Sequence, residues 1–273
     1  PDDDIISMGG TFKRLVDQGH EVHVAYQTSG NIAVADDEAD RFASFVCDYN
    51  THFNIESPEA IHIYKQANAF LKDKNPSAID TPEVRNIKGL IRKGEARATS
   101  YFVGLKDKQI HFMNLPFYET GTIEKSPIGE ADIKLTIDLI EKIQPHQIYA
   151  AGDLADPHGT HKVCLDAIFE SCKRLKPKPF MKDCWVWLYR GAWQEWGIDE
   201  IEMAVPMGPD QVLEKRYGIF KHQSQKDGVV FQGSDSREFW QRAEDRNKET
   251  ADLYDLLGLS RYAAMEAFVR WLY

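Results

Sequence analysis

Three consecutive carboxylates, Asp2, Asp3 and Asp4, open the chain in "PDDDIISMGGTF", ahead of an apolar periodic stretch. Acidic residues in a first helical turn complement the positive end of the helix dipole. They can also do chemistry, provided a second set of groups meets them. "DPHGTH" offers that set. His158 and His161 precede another apolar-periodic stretch, and their i, i+3 spacing puts both imidazoles on one face of a first helical turn. Capping and solvation would account for either histidine on its own. One Asp with one or two His and a position left for water is how catalytic zinc is held. Of two adjacent aspartates, one could then ligate the ion while the other accepts a proton from the bound water.

The surrounding pattern must bring these groups together. "IISMGGTFKRLVDQG" carries Ile5, Met8, Phe12, Leu15 and Val16 at helical spacing, and "HEVHVAYQTSG" then alternates as a strand and turn. Residues 36–105 read as helical with an interruption at "DKNPSAIDTPE". "QIHFMNLPFYETG" is a short strand running into a loop, "IGEADIKLTIDLIEKIQP" an amphipathic helix, and "HQIYAAG" a buried strand. A helix follows "DPHGTH", then strands in "DCWVWLYRG" and "EIEMAVPM", then a helix through "PDQVLEKRYGIFKHQSQ". Residues 236–273 read as helical and rich in charge. Strands alternating with helices predict an α/β sandwich with a mostly parallel sheet: a core over 1–235 and a helical C-terminal extension over 236–273. In such sheets ligands bind beyond the carboxyl ends of the strands. The acidic opening and the "QTSGN", "NLPFYETG" and "ADPHGTH" loops should therefore share one rim.

Composition narrows the function. A chain of 273 residues, 42% hydrophobic, can bury a substantial core. A formal charge of −10 argues against nucleic-acid binding, which needs clustered Lys and Arg. No apolar run reaches the length of a membrane span and no signal peptide is visible. The four cysteines lack CxxC or zinc-finger spacing and read as free thiols, which together with the missing signal predicts a cytoplasmic protein.

The opening thirty residues resemble the start of the LmbE-like (PIG-L) family of metal-dependent N-acetylglucosamine deacetylases. That family begins His-Pro-Asp-Asp-Glu, continues into a Gly-Gly helix and a Thr-x-Gly turn, and carries a later His-x-x-His. "RKGE" (Arg92 to Glu95) and "EKRYGIFKHQSQ" are weaker similarities, and the match runs over roughly residues 1 to 225. The resemblance implies a three-layer, Rossmann-like deacetylase fold. It implies Asp2 as catalytic base, Asp3 and His161 as ligands to zinc or another divalent metal, and His158 as the residue that stabilises or protonates the tetrahedral intermediate. Arg92 corresponds to an arginine that contacts the sugar. Two departures stand out: Asp4 replaces a Glu, and "HGTH" replaces the more frequent His-Pro-Asp-His. The family's first metal ligand is the His before the Pro, and the chain starts at Pro1. The sequence is therefore expected to be a fragment lacking its first strand, and on its own to hold metal weakly. His20, His23 and His111 lie on or beside strands, where hydrogen bonding near the core is the expected role.

"NLPFYETG" and the tail "REFWQRAEDRNKETADLYDLLGL" resemble the C-terminal half of long bacterial proteins whose N-terminal half is similar to glucosamine-6-phosphate deaminase. Within the tail, Phe239, Trp240, Leu253, Tyr254 and Leu257 are expected core contacts. Lys215 and His222, seven apart on one helix face, are either exposed or sugar-binding. Asn31 either bonds a substrate hydroxyl or serves the turn. The four tryptophans Trp185, Trp187, Trp193 and Trp196 are a sugar platform or, more simply, packing. The expected function is deacetylation of an N-acetylglucosamine-type amino sugar, with or without a phosphate. The rival is a non-catalytic or regulatory domain of a deaminase-like protein. The expected partner is the small amino sugar, with no nucleic acid or membrane, and homo-oligomer formation is left open.

Overall fold

The computed structural model describes residues 1–75, 78–226 and 235–273. Pro76 and Ser77, inside the expected interruption at "DKNPSAIDTPE", lie outside the described residues. The element order begins with helix α1 (Asp3–Asp17), strand β1 (Val24–Tyr26) and helices α2 (Asp36–His52), α3 (Pro58–Lys72) and α4 (Pro82–Val103). The long helical region is thus three helices. Pro58 and Pro82 start two of them, since a helix's first turn needs no donor there. Strand β2 (Ile110–Phe112), helix α5 (Glu130–Ile143), strand β3 (Gln147–Ala151) and helix α6 (Thr160–Leu175) follow. Strands β4 (Trp185–Tyr189) and β5 (Met203–Met207), helices α7 (Pro209–Ile219) and α8 (Phe239–Leu256), and strand β6 (Ala264–Trp271) complete the described elements.

β1 pairs parallel to β2, with Val24 opposite Ile110. A four-stranded sheet has the order β3-β4-β6-β5, with β3 parallel to β4 and β6 antiparallel to both its neighbours. Alternate residues of β4 face two different helical layers. Val186 packs with Ile140, Cys172 and Leu175 of α5 and α6. Trp187 packs with Ile5, Met8 and Phe12 of α1, Ala96 of α4 and Ala243 of α8. The result is a mixed, Rossmann-like α/β fold with the sheet between two helical layers.

The C-terminal region corrects the expectation for 236–273. Only its first half is helical, and its last strand fills the middle of the four-stranded sheet, so it is core rather than an extension. The residues of "AMEAFVRW" from Ala264 to Phe268 are all buried, because helices cover both faces. A strand buried on both faces shows no period-two alternation, and Ala, Met and Glu are good helix formers. Packing overrode local preference. Of the expected tail contacts, Phe239 and Trp240 do pack on the α1 cluster. Leu253 and Leu257 are exposed, and α8 is anchored instead by Ala243, Asn247, Thr250 and Ala251. No helix among the described residues is long and apolar enough to cross a membrane.

Candidate metal and hydrolytic site

Successive residues on a helix point about 100° apart, and the three opening carboxylates accordingly find three different partners. Asp2 Oδ1 lies 3.0 Å from Nη2 of Arg92 on α4. Asp3 Oδ2 lies 3.2 Å from Nε2 of His161 at the start of α6. Asp4 Oδ2 accepts the Tyr26 hydroxyl of β1 at 3.0 Å. Although Asp2 stands at the N-cap of α1, its side chain makes no capping bond among the described residues. Capping therefore does not explain Asp2, while Asp3 and Asp4 do lie in the first turn of the helix.

Each carboxylate has its own electrostatics. Burial is the largest influence on the Asp2 carboxyl and would raise it, but the attraction and hydrogen bond of the Arg92 guanidinium together with other nearby positive charge hold the group well below the usual carboxylate range. Burial likewise opposes ionisation of Asp3, and the His161 imidazole overcomes it. At Asp4 burial outweighs the nearby positive charge and hydrogen bonds and pushes the carboxyl up to about 6.

His161 is fixed from both sides. Its Nδ1–H donates to the backbone carbonyl of Asp153 at 2.6 Å, which leaves Nε2 turned to Asp3. Burial opposes a charged ring, but the Asp3 and Asp156 carboxylates raise the imidazole to about 10, so it faces Asp3 as a cation. Loss of the Nε2 proton would leave the tautomer a metal-ligating imidazole uses, with the far nitrogen bonded to a carbonyl or carboxylate. α6 starts at Thr160, so His158 lies in the loop ahead of it and does not share a helical turn with His161 as the spacing suggested; the two ring centres are 6.1 Å apart. Its Nδ1 sits 2.7 Å from Asp156 Oδ2 and 2.9 Å from Thr160 Oγ1. Between the two histidines, Gly159 has φ +67°, a left-handed turn closed to the Pro that commonly stands in the family motif. "HGTH" thus places its histidines through a different turn, and the acidic partner of His158 comes from upstream.

Asp3 and His161 fit a divalent ion in chemical type, as a carboxylate and an imidazole with its far nitrogen already bonded. They supply two donors. Among the described residues no group of three His, Cys, Asp or Glu converges on one point.

The remaining candidates divide. Arg92 is fully buried, and its Nη1 reaches Glu95 at 3.2 Å while Nη2 holds Asp2. It supports the candidate base rather than presenting a free fork to a sugar. Glu95 accepts both the backbone N–H and the hydroxyl of Ser224, at 2.6 and 2.8 Å. His222 is also buried, 4.0 Å from Glu95, and neither ring nitrogen has a hydrogen-bond partner among the described residues. Burial and the nearby Arg92 press its basicity down to about 3, so it is neutral. α7 ends at Ile219, so Lys215 and His222 do not share one helix. Asn31 is buried on a short 3-10 turn and reaches Glu119 of the "NLPFYETG" loop at 3.5 Å.

Lys215 corrects the sequence reading. Its ammonium lies inside the protein, 2.8 Å from Glu266 of β6, 2.7 Å from Asn247 Oδ1 of α8 and 3.4 Å from the Ser7 carbonyl. Met8 departs from helical geometry, and the next amides turn outward to the same acid: Gly10 and Thr11 donate to Glu266 at 2.9 and 2.6 Å. Lys215 is the buried partner of this carboxylate, not an exposed residue. The tryptophans are not a platform either. Trp187 and Trp193 pack in the α1 cluster, and Trp185 and Trp196 lie against Arg270 and Arg190. His23, just ahead of β1, and His111 on β2 bond each other at 3.0 Å.

Sequence reasoning missed Asp153, Asp156 and Glu95 as parts of the site. Asp156, two residues ahead of His158, and Glu95, closing "RKGE" three residues after Arg92, each carried a signal; Asp153 acts on partners that folding brings to it.

An aspartate and an imidazole held together where strands give way to helices, with a second ionised aspartate beside them, define an α/β protein with a candidate carboxylate–imidazole site. The chain belongs to the PIG-L family, described as GlcNAc-PI de-N-acetylase, whose profile matches residues 1–172. It is 54% identical over 275 aligned positions to a putative glucosamine-6-phosphate deaminase-like protein of Bacteroides thetaiotaomicron; the alignment covers all of the chain and 42% of that relative. The N,N'-diacetylchitobiose deacetylase of Pyrococcus horikoshii shares the fold with a TM-score of 0.59 at 19% identity, covering 99% of this chain and 80% of that one. The 4-carboxy-2-hydroxymuconate hydratase GalB of Pseudomonas putida KT2440 does so with a TM-score of 0.58 at 12% identity, covering 99% and 92%. One fold thus carries a deacetylase and a hydratase, and the chemistry must be argued from the site.

Proposed function

We propose that the chain is a divalent-metal-dependent hydrolase that removes the acetyl group from an N-acetylglucosamine-type amino sugar. The observation that carries this reading is the pairing of an ionised Asp2, held by Arg92, with the Asp3–His161 pair one residue away. Asp3 and His161 would hold the ion, which when bound polarises the amide carbonyl and makes water acidic enough to attack near neutral pH. Asp2 accepts the proton of the attacking water, a task that requires it to be ionised beforehand. His158, its Nδ1 against Asp156, is the residue proposed to stabilise the oxyanion or to protonate the departing amine. The C–N bond breaks, acetate leaves, and the sugar nitrogen gains a proton. Neutral His222 and buried Asn31 are the polar groups proposed to meet the sugar. Family membership and the deacetylase among similar folds support the class. The substrate, the metal, the cytoplasmic setting and homo-oligomer formation are part of the proposal.

The test is acetate release from N-acetylglucosamine and its 6-phosphate with Zn²⁺, Co²⁺ or Mn²⁺. It uses the chain as given and the chain extended upstream of Pro1 in its reading frame. Turnover and tight metal binding in the extended protein, with a His directly before Pro1, are expected. Metal binding without acetate release from either sugar would move the assignment to the non-catalytic domain of a deaminase-like protein.

A further inference from the structure

We propose that Asp153 is a positioning residue for His161, and that Arg246 on α8 acts through it; the importance of the effect rests on His161 being a metal ligand. The carbonyl that accepts His161 Nδ1–H at 2.6 Å belongs to Asp153, just past the end of β3. A backbone carbonyl orients an imidazole only as firmly as its own peptide is held, and this peptide is held from several directions. The Asp153 side chain is buried, and its Oδ2 accepts the backbone N–H groups of Trp193 and Gln194 at 2.6 and 3.1 Å. The preceding carbonyl, of Gly152, accepts Arg190 Nε at 3.2 Å, and that guanidinium lies 3.5 Å over the Trp196 ring. The loop giving the two amides is fastened in turn by α8. Arg246 Nη1 donates to the carbonyls of Gly191 and Ala192 at 3.0 and 2.8 Å, and Nη2 to that of Trp193 at 3.0 Å.

A continuous run of hydrogen bonds therefore joins α8 to the first turn of α6, through loop 191–194 and Asp153. Its consequence is directional. If the His161 ring turned over, the Asp153 carbonyl would be left unpaired in a buried setting and Nε2 would leave Asp3. Apart from Asp153, in the loop just before α6, none of these partners is near His161 in sequence. Arg246 touches loop carbonyls alone in this run, so its removal tests the relay without altering the site's own groups.

The experiment needs no metal and no turnover. The low-field proton on His161 Nδ1 is followed by NMR in the chain as it stands, and its exchange with solvent is measured. In Asp153→Asn and Arg246→Met, protection should fall by about tenfold or more, as for a weakened buried hydrogen bond. The double variant should be no worse than the more affected single, because both act on one run of contacts. Cys172→Ala, in the α5–α6 cluster, is the control for a merely less stable protein. It should lower the melting temperature and leave the His161 proton protected well below the melt. Should Asp153→Asn fail to fold, Arg246→Met against the control decides alone. Unchanged protection in Arg246→Met, or an equal loss in Cys172→Ala, would overturn the proposal. Absent acetate release with the protection pattern as expected would instead count against the deacetylase reading.

Discussion

Replacing Lys215 by Met separates a structural lysine from a substrate-binding one. Met retains most of the apolar stem packed beside Gly9 and removes the charge that faces Glu266 at 2.8 Å. Both side chains are about 1% exposed, so water cannot restore the lost partner. Removing one member of a buried ion pair costs about 3–5 kcal/mol. Glu266 keeps three donors, the Gly10 amide and the amide and hydroxyl of Thr11, which places the expected loss near the lower end. About 3 kcal/mol is a large part of a total stability of about 5–15 kcal/mol. At roughly 2–4 °C per kcal/mol, the melting temperature should drop by about 6–12 °C. Circular dichroism melts and urea midpoints measure it. Adding Glu266→Gln should recover part of the loss, because a neutral acceptor no longer needs the cation. A melt within about 2 °C of the parent, together with a tenfold rise in KM for the amino sugar, would sink this account and restore Lys215 to the substrate.

Other outcomes follow from the same contacts. Asp2→Asn should leave metal content intact and abolish turnover in the extended protein, whereas Asp3→Asn should lower metal content; equal metal loss in both would refute the division of labour. His161→Ala should weaken metal binding. Asp156→Asn should slow kcat by roughly 10²-fold with KM and metal content unchanged, since it acts through His158; lost metal there would show that Asp156 serves His161 instead. Burial raises the Glu195 carboxyl from 4.5 to about 7, and an acid raised on folding contributes stability that is full below about pH 4.5 and is lost as pH rises through about 7. Glu195→Gln should therefore gain on the parent in melting temperature from about pH 5 to about pH 8, by the equivalent of roughly 2–3 kcal/mol at about 1.4 kcal/mol per unit. Parallel melting profiles would show that Glu195 is hydrated.

The sequence alone determined the alternation of helices and strands, the rim at the strand ends and the residues that meet there. Each of these is written in short-range pattern: apolar period, Pro and Gly punctuation, and compact acidic and histidine motifs. "PDDD" and "HGTH" were legible because each motif is local, although the pairing of Asp3 with His161 spans most of the chain. Tertiary structure decided whatever depended on a distant partner. It made "AMEAFVRW" a central strand, because burial on both faces erases the alternation that announces a strand. It moved Lys215 from a supposed sugar contact into an internal ion pair, since nothing in "EKRYG" reveals that Glu266 waits 51 residues further on. It turned Arg92 toward Asp2, and it recruited Asp153 and Arg246 through backbone carbonyls and amides. Every residue has those groups, so the sequence carries no mark of which ones a fold will use.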